Sequence, residues 1–243
     1  DTGMTRLGVP LDQAEVFLKE ANQIEGIELE GLYSHFATAD EGDLSFANSQ
    51  LGKFNEVVKI SKKLDVFPTF IHCSNSGAIL NIKESKFNMV RAGMLLYGAF
   101  PSDEVPHELP IKPVMTFSAP VVEIRDVKAG THISYGGVYT TKSDTRIAVV
   151  QAGFADGVPR PWYTDGFVKF KDQNFKITGR ICMDQLMIDI GSADINYGDE
   201  VLIFGSNEHG SIDINHIAKK IDSTSYVLVT AIGIRPKRVY KID

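Results

Sequence analysis

Four residues stand where short apolar runs give out. His35 closes "GLYSHF", Ser76 follows "FIHCSN", and Arg91 and Gly93 end "NMVRAG". In sheets of parallel strands joined by helices, ligands collect at the C-terminal ends of the strands. These are therefore the positions where chemistry would be done. Barrels often hold a phosphate in the loops after their last two strands. A Ser76 hydroxyl together with backbone amides near Gly93 and Met94 would suit that anion. Each residue also has an ordinary structural use: Ser76 as a helix cap, Gly93 as a turn, Arg91 as an ion-pair partner, His35 as a core histidine.

The elements that must carry these residues alternate. "PLDQAEVFLKEANQI" has Pro10 at a helix start and apolar residues at helical spacing. "IELEGLYSHFA" reads as a strand, "DLSFANSQLGKFNEVVKISKKL" as a long helix, "PTFIHCSNS" as a strand, "SGAILNI" as a short helix and "FNMVRAGMLLYG" as a third strand. Helices between strands imply a parallel sheet. After a proline-rich stretch, Pro101 to Pro113, the pattern changes to short strands broken by Gly, Asp, Asn and Pro. These are "VMTFSAPVVEIRDV", "HISYGGVYTT", "TRIAVVQAGF", "GFVKF", "NFKITGR", "DQLMIDI", "DEVLIFG", "YVLVTAIGI" and "RVYKI". Only "DINHIAKKI" looks helical there. The expectation is an α/β part over residues 1–108 and a mainly antiparallel β domain over 109–243.

Composition narrows the function classes. The chain has 243 residues, 43% apolar and 23% charged, with a net charge of −6. That is a globular composition without the basic patch that nucleic acid needs. No apolar run approaches a membrane span of ~20 residues, and no signal peptide is visible. Cys73 and Cys182 lie far apart in apolar runs and read as two buried free thiols of a reducing compartment. Three parallel strands alone would leave an apolar edge open. An eight-stranded barrel with its first half removed would look this way, so the chain is expected to be the later part of a longer protein.

The sequence resembles bacterial alanine racemase. The stretches that carry the resemblance are "DTGMTRLG", "SHFATADE", "HCSNSGAIL", "VRAGMLLYG", "SYGGVYT", "GFADGVPRP", "GRICMDQLMIDIG", "GDEVLIFG" and "RVYKI", in family order from end to end. The resemblance implies the second half of a (β/α)8 TIM-type barrel that binds pyridoxal 5'-phosphate, followed by the β domain. It implies an isomerase that interconverts L- and D-alanine for peptidoglycan, in the cytoplasm, as a homodimer whose active sites are shared between subunits. The lysine that anchors the cofactor, in a "KANAYGHG"-like motif, does not occur among the lysines here. This chain alone is therefore expected to be inactive.

Residue by residue, the resemblance implies that Arg6 holds the substrate carboxylate with two parallel hydrogen bonds. His35 would pack by the pyridine ring. Ser76, the amides near Gly93 and Met94, and the Tyr226 hydroxyl would hold the phosphate. Arg91 would face the pyridine nitrogen, where an arginine gives up no proton and leaves a weaker electron sink than an aspartate would. Tyr135 would serve one face of the substrate α-carbon, with the absent lysine on the other. A phenol holds its proton until about pH 10, so this base needs the help of a Tyr135–His35–Arg91 chain of charge and hydrogen bonds. Met183 and Asp184 would reach the substrate pocket of the other subunit, and Asp40, Arg160 and Arg180 would line its entrance. Phe154 stands where the family usually has tyrosine, so a gate hydroxyl is lost. The bulk of Tyr226 favours alanine over serine. A serine or broad-specificity racemase, and a non-catalytic fragment, remain open as alternatives.

Overall fold

The computed structural model describes residues 1–241 and divides the chain into two compact units, Asp1–Ile111 and Lys112–Asp243.

In the first unit, strands β1 (Gly31–Tyr33) and β2 (Phe70–His72) pair in parallel, with Tyr33 opposite His72. The crossover between them is α2 (Ser45–Lys63), and α1 (Ala14–Ala21) precedes β1. Helix α2 buries Ala47, Gln50, Leu51, Phe54, Val57, Val58 and Ser61, a stripe at helical spacing. That stripe packs on Phe36, Ala39, Cys73, Ala78 and Ile82. Each such aliphatic or aromatic side chain contributes roughly 1.5–3 kcal/mol on leaving water. Helix α3 (Ser76–Asn81) follows β2 at once, capped by the Asn75 side chain, which accepts from Ala78 N at 3.0 Å.

The third expected strand, around "NMVRAG", does not form. The Asn88 side chain takes over the ladder positions there. Its Oδ1 accepts from Ile71 N at 2.8 Å and its Nδ2 donates to Thr69 O at 2.8 Å, leaving the main chain only a long bond from Asn88 N to Ile71 O at 3.4 Å. The segment still runs beside β2, with Arg91 N donating to Ser74 O at 2.9 Å.

The second unit is built on an antiparallel sheet of β3 (Phe117–Val127), β6 (Thr145–Val150), β7 (Phe167–Phe170), β8 (Gln173–Lys176), β9 (Leu186–Asp189), β10 (Glu200–Asn207) and β11 (Gly210–Ile212). The order is β8-β7-β10-β3-β6-β9, with β11 against β10. Its core gathers Val121, Ala148, Val150, Val168, Leu186, Ile188, Val201 and Leu202 around Trp162. A separate hairpin joins β4 (His132–Ile133) to β5 (Tyr139–Thr140). "HISYGGVYTT" is thus two short strands, because Ser134, Gly136 and Gly137 all take positive φ between them.

Two further expectations are corrected. "YVLVTAIGI", read as a strand from its β-branched residues, is helix α5 (Ser225–Ala231). Ser225, Leu228 and Val229 go inward at i, i+3 and i+4, and helical burial prevails over strand propensity. The described part of "RVYKI" forms no strand, with Val239 and Tyr240 exposed, and Ile242 lies outside the described residues. "DINHIAKKI" is helical as expected, as α4 (Ile214–Lys220). No helix among the described residues is long and apolar enough to cross a membrane.

Candidate active site

In the first unit the strand ends converge on Arg91. Its Nη2 donates to Ser34 O at 2.8 Å and lies 3.0 Å from His35 Nδ1. Its Nη1 is bonded to His72 Nδ1. The guanidinium carbon stands 5.4 Å from the centre of the Tyr33 ring, which stacks on the His72 imidazole at 5.3 Å. The parallel register that sets Tyr33 beside His72 builds this cluster.

A guanidinium only donates, so Nδ1 of both histidines must accept, and each neutral ring carries its proton on Nε2. Electrostatics agree. The pKa of His35 is held below its ordinary value, first by burial and then by the charges of Arg91 and Arg6. That of His72 is lowered by burial and by Arg91. Burial pushes the neighbouring Cys73 thiol up to about 12, so it is an inert thiol. Among the described residues no carboxylate makes an ion pair with Arg91, and its acceptors are all neutral groups.

Arg6 and His35 line one cavity of about 240 Å³, whose other walls include Leu7, Phe17, Leu29 and Phe54. Arg6 itself is exposed. The Arg6 segment is shaped by Asp1, whose Oδ1 accepts from Gly3 N at 2.9 Å and Thr5 N at 3.0 Å.

Ser76 is buried at 1% exposure, and its Oγ accepts from Gly93 N at 2.9 Å and Leu95 N at 3.4 Å. A hydroxyl that accepts twice has a proton left to give. Among the described residues nothing takes it. A phosphate oxygen would be such an acceptor, so the donor set here fits the anionic end of a phosphorylated cofactor. The Gly93 amide is already committed to Ser76, while the buried Met94 opens the 3-10 turn Met94–Tyr97 beside it. Gly77, the residue after Ser76, packs closely on a neighbouring main chain. A Cβ there would stand 2.8 Å from the main chain of Ala39 and Asp40. Asp40, in turn, accepts at its carbonyl from Ser102 Oγ.

In the second unit five more of the expected residues gather. Tyr135 opens a 3-10 turn and is 66% exposed. Ser134 Oγ donates to Arg180 O at 2.6 Å, and a Cβ on Gly136 would stand 3.1 Å from Arg180 Nη1. Arg180, in the connection between β8 and β9, leads into the loop of Met183, 58% exposed, and Asp184, also exposed. That loop is pinned by main chain: Phe154 N donates to Cys182 O at 3.1 Å and Ala155 N to Met183 O at 2.8 Å. Gly153 permits the approach, since a Cβ there would overlap Cys182 O and Met183. Buried Asp156 closes the turn, accepting from Gly153 N at 2.9 Å and from Arg235 Nε at 2.9 Å. Tyr226 lies at the second position of α5, and exposed Arg160 opens the turn Arg160–Thr164, whose Trp162 is buried. Cys182, expected to be buried, is half-buried, and both cysteines are free.

Sequence reasoning missed Tyr33, His72 and Gln50. His72 ends β2 as His35 follows β1, so the strand-end rule applied evenly would have selected it. Gln50 is a lone polar residue inside an apolar helical stripe, which is a readable signal.

Comparison with known proteins now bears on this geometry. The family described as "Alanine racemase, N-terminal domain" matches residues 1–101, and "Alanine racemase, C-terminal domain" matches 114–240. The chain is 40% identical over 242 residues to the alanine racemase of Halothermothrix orenii, covering 99% of this chain and 64% of that protein. It is also 40% identical to alanine racemase 2 of Caldanaerobacter subterraneus, covering 99% of this chain and 62% of that protein. The structure of alanine racemase from D-cycloserine-producing Streptomyces lavendulae superposes with a TM-score of 0.94 at 36% identity, over 100% of this chain and 65% of that one. The alanine racemase of Bartonella henselae with covalently bound pyridoxal phosphate superposes at 0.85 and 28% identity, over 99% and 65%. The chain therefore spans less than two thirds of these relatives' length.

Proposed function

Because the chain belongs to the alanine racemase family, we propose that the complete gene product interconverts L- and D-alanine with pyridoxal phosphate as cofactor. The observation that carries this reading is Arg91, a half-buried guanidinium surrounded by neutral acceptors and paired with no carboxylate among the described residues. Bound cofactor would acidify the substrate α-carbon by conjugation with its ring. Arg91, which donates hydrogen bonds but gives up no proton, would be the residue that faces the cofactor's ring, and would leave its nitrogen unprotonated.

The chain's own residues would divide the remaining work. Ser76 Oγ, with the main chain near Gly93 and Met94 and the Tyr226 hydroxyl, would hold the phosphate. Arg6 would clasp the substrate carboxylate, assisted by the Met183 amide beside Asp184. Tyr135 Oη would take or return the proton on one face of the α-carbon, with His35 Nε2–H directed toward it. Asp40, Phe154, Arg160 and Arg180 would form the entrance. The reading includes a homodimer in which Tyr135 and Met183 serve the partner's site, a cytoplasmic location, and a supply of D-alanine to peptidoglycan. Residues 1–243 by themselves, holding no lysine in a "KANAYGHG"-like motif, would not turn over.

The deciding experiment is chiral chromatography of L-alanine incubated with the complete gene product, with and without added cofactor, and with L-serine in parallel. Cofactor-dependent D-alanine, formed faster than D-serine, is expected. An absence of D-alanine from correctly folded, cofactor-loaded protein overturns the reading.

A further inference from the structure

Gln50 occupies the apolar face of α2 and is 1% exposed. A buried primary amide must place both N–H groups and its carbonyl. Gln50 places them on two functional segments at once. Its Oε1 accepts from Ala37 N at 2.9 Å, and its Nε2 donates to His35 O at 3.0 Å. The other N–H reaches Thr2 Oγ1 at 3.3 Å, and that hydroxyl lies 2.6 Å from Ser34 Oγ. One turn along the same helix, Lys53 Nζ reaches Thr2 O at 3.4 Å.

The bonds to His35 O and Ala37 N are those that a neighbouring parallel strand would make around Phe36. Strand β1 ends at Tyr33, and past it a side chain stands in for the missing ladder. His35 is thus held at its ring Nδ1 by Arg91 and at its main chain by Gln50. Through Thr2 the same amide tethers the segment that carries Arg6.

We infer that Gln50 is a positioning residue that keeps the His35 imidazole and the Arg6 loop in one frame. The inference rests on the racemase reading for its effect on turnover. Its geometric part, the hold on His35, stands without it. Glutamate at this position could accept from Ala37 but not donate to His35 O or Thr2. Leucine could do neither. Asparagine keeps the amide but falls one methylene short.

The test uses the complete gene product with Gln50→Leu, Gln50→Glu and Thr2→Val. Ser61→Ala is the control, since Ser61 is equally buried on α2 but bonds to Val66 O three turns away from Gln50. A displacement of about 1 Å at a reacting group costs up to ~10²-fold, so Gln50→Leu should lower kcat/KM by roughly 30-fold, with kcat down and KM up. Thr2→Val, which cuts the bonds of the Thr2 hydroxyl to Gln50 and Ser34 but leaves those of Gln50 to His35 O and Ala37 N, should raise KM and leave kcat within about threefold. Ser61→Ala should leave both constants near wild type at a similar loss of Tm. In cofactor-free protein, the 15N resonances of the His35 ring should move in the Gln50 variants and not in Ser61→Ala. If Gln50→Leu does not fold, Gln50→Asn takes its place. Gln50 variants that match Ser61→Ala in both kinetics and His35 resonances overturn the inference. If the wild type does not racemise but His35 moves only with Gln50, the positioning role holds and the racemase reading falls.

Discussion

Arg91 Nη2 and His35 Nδ1 lie 3.0 Å apart, and the chemistry of the donor fixes the direction of the bond between them. Only the guanidinium can give the proton. The imidazole is therefore locked as its Nε2–H tautomer, with a donor facing away from Arg91.

A pH dependence follows. Burial, Arg91 and Arg6 hold the folded-state pKa of His35 below the ordinary 6.5, and burial with Arg91 does the same for His72. Above pH 6.5 both rings are neutral folded or unfolded, and stability is indifferent to them. As pH falls below 6.5 the unfolded chain takes up protons that the folded chain refuses. Stability then declines until the folded-state pKa values are passed. Histidine 15N spectra should show both midpoints below 6.5 with the neutral rings as Nε2–H tautomers, and Arg91→Leu should move both midpoints upward. A His35 ring that titrates at or above 6.5, or carries its proton on Nδ1, contradicts the assignment.

Gly153 and Gly52 should answer the same substitution in opposite directions. An alanine Cβ at 153 would overlap the main chain of Cys182 and Met183, whereas Gly52, on α2, has open space around it. Gly153→Ala should cost about 1–3 kcal/mol by overpacking. Gly52→Ala should gain about 0.5–1 kcal/mol by stiffening the helix. Urea unfolding of both variants checks the pair, and a neutral Gly153→Ala would mean that the Met183 loop is not held where it is described.

The shared-site reading predicts complementation. In the complete protein, a variant lacking the cofactor lysine and a Tyr135→Phe variant should each racemise poorly. A mixed dimer would combine both lesions in one site and leave the other intact. Random exchange makes about half the dimers mixed, so roughly a quarter of all sites should recover, as a closed twofold dimer requires. Mixed dimers demonstrated by mass but inactive would place Tyr135 within its own chain's site or in packing.

Much of the fold was legible because local rules agreed with burial. The long helix α2, the short helix α3 and the strand β3 were all expected from their local patterns, although the cap of α3 is Asn75 and not Ser76. The failures have physical causes. Asn88 replaced ladder bonds with side-chain bonds, which no strand propensity records. The residues of α5 favour strand singly but bury at helical spacing. In the site, His35, Ser76, Arg91 and Gly93 were found by the strand-end rule alone. Arg6 and Tyr135, on turns, needed the family resemblance, because a turn residue carries no periodicity. Tyr33 and His72 escaped because their role depends on register, a property of two segments that neither one states by itself.

The turn at Phe154 and the loop at Met183 are joined entirely through backbone groups, while their side chains, 42% and 58% exposed, project free of that join. Scaffold and contact surface are thereby separated at the level of single residues. Evolution can exchange the ring at 154 or the thioether at 183 without renegotiating the loop. The same separation gives an engineer two adjacent sites for randomisation on a rigid frame. Gly153, which no such library should touch, marks where the freedom stops.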